Sequence, residues 1–90
     1  MNRPEITIEL FGMPRARAGK TELVVSASTV AEALAEVINA CPKLADVLQP
    51  DGSLSSQYLV SLNGQSFVAD LSQSLRLGDR LLLLSADAGG

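Results

Sequence analysis

Residues 5–11 alternate between apolar and polar: Ile6, Ile8 and Leu10 fall on one side, Thr7 and Glu9 on the other. A period of two with β-branched residues predicts a half-buried strand. Phe11 falls on the outer side with Thr7 and Glu9, a position that suits either the rim of a core or contact with a partner. Residues 12–20, broken by Gly12, Pro14 and Gly19, read as a loop. Residues 21–26 predict a second strand with Leu23 and Val25 inward, and the short connection favours antiparallel pairing with the first.

The period then changes. Val30, Leu34, Val37, Ile38 and Cys41 form one apolar stripe at helical spacing, predicting a helix over 29–40. Thr29-Val30-Ala31-Glu32 opens it as a capping box, and Pro42 closes it. Cys41 lies on the stripe, where a thiol serves as a small hydrophobe. In the irregular stretch 43–57, Leu44, Val47 and Leu48 suit one helical turn on the core, and Pro50-Asp51-Gly52 marks a turn. Residues 58–62 and 65–69 flank Asn63-Gly64, a hairpin with the positive φ angles of a type I′ turn. Tyr58, Val60 and Leu62 share one face of it; Leu59 and Ser61 share the other. Leu71, Leu75 and Leu77 are expected to pin the next connection to the core before Gly78-Asp79 turns it into a last strand.

That strand, Leu81-Leu82-Leu83-Leu84, is apolar on both faces, so it belongs in the middle of a sheet, parallel to the first strand. The order predicts an α+β fold with a mixed sheet of about five strands and one main helix across one face. One helix covers one face only. Leu82 and Leu84 then point to the uncovered face with Phe11 and Leu59, and a cluster of exposed apolar side chains marks a contact surface. The helix stripe is expected to pack on Ile6, Ile8, Val60, Leu81 and Leu83. A folded domain over residues 1–84 leaves a thin tail over 85–90, Ser-Ala-Asp-Ala-Gly-Gly.

Composition narrows the function. Ninety residues suit one domain, and 47% apolar content with no Trp gives it an aliphatic core. No stretch is long and apolar enough for a membrane span, and the first residues do not lead into a signal-peptide core; a cytoplasmic protein without membrane association is expected. A net charge of −3 argues against nucleic-acid binding. Arg15, Arg17 and Lys20 are the local exception, a solvated turn or a site. With no His and a single Cys, there is no Ser-His or Cys-His nucleophile pair, no internal disulfide and no cysteine metal site. No phosphate loop or paired-carboxylate spacing stands out, so no catalytic machinery is expected within the chain.

The tail has two readings. It frays, as termini of small residues do. Or it is chemical: glycine has no Cβ, so Gly89-Gly90 can thread into another protein's active site and present the Gly90 carboxylate as the reacting group. A carboxylate is a poor acyl donor and must first be activated, typically by adenylation. Six extended residues reach up to roughly 20 Å.

Over nearly its whole length the chain resembles the β-grasp, ubiquitin-like sulfur-carrier family, which includes the small subunit of molybdopterin synthase and the thiamine sulfur carrier. The residues that carry the resemblance are Leu10-Phe11-Gly12, Arg15 and Gly19, Thr29-Val30, Val60-Ser61-Leu62-Asn63-Gly64, Gly78-Asp79 and Gly89-Gly90, in that order. Ser85-Ala86 stands where the molybdopterin branch usually has two prolines. The resemblance implies a non-enzymatic carrier with no bound cofactor or metal. Its partners would be an ATP-using adenylyltransferase related to ubiquitin-activating enzymes, a persulfide sulfur donor, and a larger acceptor subunit such as that of molybdopterin synthase. Gly90 would become an adenylate and then a thiocarboxylate. Phe11, Leu59, Leu82 and Leu84 would dock the partners, with Arg15 at the rim. The same carrier chemistry would also serve thiamine or amino-acid synthesis, the same terminus a protein modifier joined to lysines, and the same sheet face a non-covalent adaptor.

Overall fold

The computed structural model describes residues 3–86. Five strands form one mixed sheet: β1 (Glu5–Leu10), β2 (Glu22–Ser26), β3 (Tyr58–Leu62), β4 (Ser66–Phe67) and β5 (Arg80–Ser85). Their order is β2-β1-β5-β3-β4, with β1 and β5 parallel at the centre and the other pairs antiparallel. This is the expected α+β, β-grasp arrangement. The parallel pair sits inside because Leu81 to Leu84 leave β5 no polar face for water.

The main helix, α2 (Val30–Ala40), begins where the sequence places it. The Thr29 hydroxyl accepts from the Glu32 backbone N–H, while the Glu32 carboxylate accepts from the Ser28 N–H, one residue upstream of the cap. Carbonyls of Gln73 and Leu71 take the N–H groups of Val30 and Ala31. The orphan donors of the first turn are thus satisfied partly by a distant loop, which fixes that loop to the helix. Val30, Ala33, Leu34, Val37 and Cys41 are buried on Ile6, Ile8, Leu10, Val60, Leu81 and Leu83, so the core lies between α2 and one face of the sheet. Leu44 and Val47 close one end of it from a 3₁₀ segment, Pro42–Val47.

Three details differ from the sequence reading. The segment after Gly12 is not a loop but a short helix, α1 (Met13–Ala18). Gly12 precedes it at φ 61°, Pro14 sits in its first turn and Gly19 closes it in the left-handed region at φ 70°. Pro at the start and Gly just past the end are helix punctuation, and here they also read as breakers because the helix they bound is only six residues long. Leu77 is not pinned to the core: it is 78% exposed, while Leu75 is buried and Leu71 half-buried. Finally, β5 runs through Ser85, and the Ala86 N–H donates to the Gln57 carbonyl at 2.8 Å. Two residues expected in the tail therefore belong to the folded domain; residues 87–90, including Gly89 and Gly90, lie outside the described residues. Among the described residues no helix is long and apolar enough to cross a membrane, and no group of His, Cys, Asp and Glu could hold a metal ion.

Candidate functional site

The sheet face opposite α2 is built by strand alternation. Its register sets Glu22, Glu9, Leu82, Ser61 and Phe67 side by side across five strands. One step towards the end of β5, Leu84 faces Leu59, and Phe11 continues the outer side of β1 beside it, its N–H donating to the Leu83 carbonyl at 3.1 Å. Phe11, Leu59, Leu82 and Leu84 therefore do come together. Leu59 is exposed, at 37%, while Phe11, Leu82 and Leu84 are half-buried. Neighbouring strands about 4.8 Å apart cover one another's side chains, so a central leucine on an open face still loses much of its surface.

Arg15 is placed by α1. Its Nε donates to the Leu10 carbonyl at 3.0 Å, and its guanidinium lies over the Phe11 ring, 5.4 Å from the centroid. That is within cation–π reach, so Arg15 braces Phe11 as well as standing at the edge of the patch.

Phe67 is the residue that sequence reading left unplaced. It is 66% exposed and extends the patch across β4. A two-residue Asn63-Gly64 loop in strict register would set Phe67 opposite Val60, facing the core. Instead Leu62 pairs with Ser66 and Ser61 with Phe67. One extra residue in the turn reverses the face, because side chains alternate with a period of two. The remaining part of the sheet face is charged: the Arg80 Nη1 donates to the Glu9 carboxylate at 2.7 Å and lies 3.7 Å from that of Glu22.

Where β5 ends, a cleft of about 420 Å³ is lined by Met13, Arg17, Gln57, Tyr58, Ser85 and Ala86, among others. Behind it lies a polar triad that ties three elements. Tyr58 donates its hydroxyl to Asp46 Oδ1 at 2.8 Å. The Arg17 Nη1 donates to both Asp46 oxygens, at 3.0 and 2.9 Å, and to the Tyr58 hydroxyl at 2.8 Å. Burial, reinforced by the Asp46 carboxylate, pushes the Tyr58 phenol up to about 12. Burial opposes ionisation of Asp46, but the hydrogen bonds from Arg17 and Tyr58 outweigh it and hold the carboxyl below its ordinary value. The contact with Asp46 in turn raises Arg17. The triad fixes α1 and the 3₁₀ segment to the start of β3, beside the root of the tail.

At the other end of the sheet the two turn motifs lock together. Asn63 Nδ2 donates to Asp79 Oδ1 at 3.2 Å, the Arg80 N–H donates to Asn63 Oδ1 at 2.9 Å, and Asp79 Oδ2 accepts from the Arg76 N–H at 2.8 Å. Asn63 pays for this with a φ of 57°, which Asn tolerates better than most residues.

No family sequence model matches the chain, and no curated protein matches its sequence. Solved structures do. The crystal structure of SAMP1 from Haloferax volcanii is 30% identical with a TM-score of 0.83, covering 96% of this chain and 99% of that one. The chain belongs to the ubiquitin-like sulfur-carrier family. Another structure of this family, the small archaeal modifier protein 1 from Methanosarcina acetivorans, is 25% identical over 97% of both chains, with a TM-score of 0.83. The fold likeness extends to the complex of subunits 1 and 2 of the molybdopterin-converting factor from Helicobacter pylori, at 20% identity and a TM-score of 0.65, over 96% of this chain and 99% of that one. The open apolar face and the cleft at the end of β5 adjoin one another at this end of the sheet.

Proposed function

We propose that this family member is a sulfur carrier for molybdopterin synthesis, with Gly90 as the loaded residue. The Gly90 carboxylate attacks the α-phosphorus of ATP on a partner adenylyltransferase, releasing pyrophosphate. A persulfide sulfur attacks the acyl carbon and displaces AMP; a second thiol then cleaves the resulting acyl disulfide, leaving a thiocarboxylate. The loaded tail enters a larger acceptor subunit, which supplies the chemistry of transfer. The observation that carries this reading is the coincidence of an apolar docking face with the exit of β5: Phe11, Leu84 and Leu59 lie across the last turn of sheet before Ser85 and Ala86. A partner bound to that face receives the following residues directly. Incubation with the cognate adenylyltransferase, ATP and a persulfide donor should exchange one oxygen for one sulfur in the intact mass, mapped to Gly90. Absence of both adenylate and thiocarboxylate with an enzyme that binds the chain sinks the proposal.

The likeness to SAMP1, a small archaeal modifier protein, supports a second reading in which the activated Gly90 carboxylate is joined to lysines. Gly-Gly remnants on target lysines after proteolysis, dependent on Gly90, would distinguish conjugation from sulfur delivery.

A further inference from the structure

The chain carries seven Lys and Arg against ten Asp and Glu, but the two signs are not evenly mixed. Arg3 pairs with Glu32 and Glu36, Arg17 with Asp46, and Arg80 with Glu9 and Glu22. Among the described residues the cations with no carboxylate at ion-pair distance are Arg15, Lys20, Lys43 and Arg76. Three of these four gather around α1. Lys20 and Lys43 line, with Arg17, a shallow concavity of about 240 Å³ backed by Ala40, Cys41 and Pro42. Arg17 also reaches the cleft that holds Ser85 and Ala86, and Arg15 lies beside Phe11. A positive arc thus runs from the apolar face, around the root of the tail, to the start of the 3₁₀ segment. Asp46 is the one carboxylate paired into it, and the chain as a whole is negative.

We propose that this arc, with Arg15, Lys20 and Lys43 as its uncompensated charges, steers the tail-bearing end of the molecule onto an acidic rim of the adenylyltransferase that loads it. The choice of a protein partner follows from charge. A polyanion long enough to neutralise the arc would also meet the negative remainder of the chain, whereas a local ring of carboxylates around a tail channel meets only the arc. Charges of this kind act over a Debye length and raise association rates more than they deepen the bound state. The proposal depends on the carrier reading for the identity of the partner, and on the geometry alone for the surface.

The test is the association rate of the full chain with the purified adenylyltransferase of the same organism, at low and high salt, with thiocarboxylate formation followed separately by intact mass. Lys20→Glu with Lys43→Glu should slow association by about 10-fold at low salt and flatten its salt dependence, with little change in dissociation. Lys20→Ser with Lys43→Ser should give a smaller fall in the same direction. Arg76→Glu, which removes an unpaired cation outside the arc, should leave the rate unchanged. Equal rates for wild type and the double reversal overturn the proposal, as does an equal loss with Arg76→Glu, a salt-independent wild-type rate or no association at all. Tighter binding to a short DNA duplex than to the enzyme overturns the protein assignment. Charge-dependent association without any thiocarboxylate leaves the arc standing and removes the carrier reading instead; loading with an indifferent double reversal does the opposite.

Discussion

Tyr58 and Leu34 show what single residues contribute. Tyr58 sits on the inward face of β3, as its alternation with Val60 implies, yet its hydroxyl finds Asp46 and Arg17. Burial raises its phenol from 10.0 to about 12, so the folded state favours the protonated form. The contribution is fully present below the unfolded value and is lost as pH rises from 10.0 towards about 12. Tyr58→Phe should therefore cost about 1 kcal/mol near neutrality and abolish that part of the alkaline loss. Denaturant midpoints of the two proteins across that window, with phenolate absorbance as a direct readout, check it; curves that stay parallel refute it. Leu34, fully buried on the helix stripe, belongs to a different class. Leu34→Ala should lose about 2–5 kcal/mol through lost transfer energy and a residual cavity, again read from the denaturant midpoint. The inward side of Tyr58 and the burial of Leu34 were legible from periodicity. The triad was not: it joins residues 17, 46 and 58, and one of them sits on an element whose type the sequence concealed.

At the scale of elements, legibility followed length. Eleven residues of α2 carry several returns of the apolar stripe, so the helix, its Thr29 cap and its stop before Pro42 all follow from pattern. Six residues of α1 carry fewer than two turns, and an apolar period cannot show itself there. Phe67 was lost for a related reason, since one residue in a turn decides the face of a two-residue strand. In β5, four leucines name the central strand and their alternation divides them correctly: Leu81 and Leu83 are fully buried, Leu82 and Leu84 half so. The half-buried pair is where the strand's structural and binding demands separate. Leu82→Glu or Leu84→Glu should weaken binding to the adenylyltransferase at least about tenfold, the loss expected for a buried apolar anchor, with the fold retained. Calorimetric titration beside an amide NMR spectrum measures both. If each variant unfolds, the face belongs to the core and the docking role fails.

At the scale of the whole molecule, the carrier reading asks the domain for position. Among the described residues its titratable groups are used in folding contacts or stand in solvent, and no metal-binding cluster is present. In the proposed carrier reading, catalysis at Gly90 comes from the partner, and the domain offers it a docking face, a charged arc and an origin for the tail. That origin is set further along than composition implies. With Ala86 held to Gln57, the four residues from there to Gly90 could span at most roughly 14 Å when extended, rather than the roughly 20 Å available to six. A partner's reacting centre must lie within that distance of the bound sheet end, with a channel narrow enough to favour residues lacking a Cβ. With Gly90 as the loaded residue, the proposal requires its carboxylate to be free and presented at one depth. Adding a single residue after Gly90 should abolish loading by burying the reacting position in a peptide bond and overfilling the channel. Deleting Gly90 should abolish it by leaving the new carboxylate one residue, about 3.3–3.6 Å, short. Both variants should keep wild-type stability and bind the adenylyltransferase with at most a small change in affinity, because the docking face lies upstream of Ser85. Intact mass after incubation with enzyme, ATP and persulfide donor reads the loading, and titration reads the docking. A capped chain that still acquires sulfur would place the reacting group elsewhere; a capped chain that no longer docks would mean that the tail, and not the sheet face, supplies the affinity.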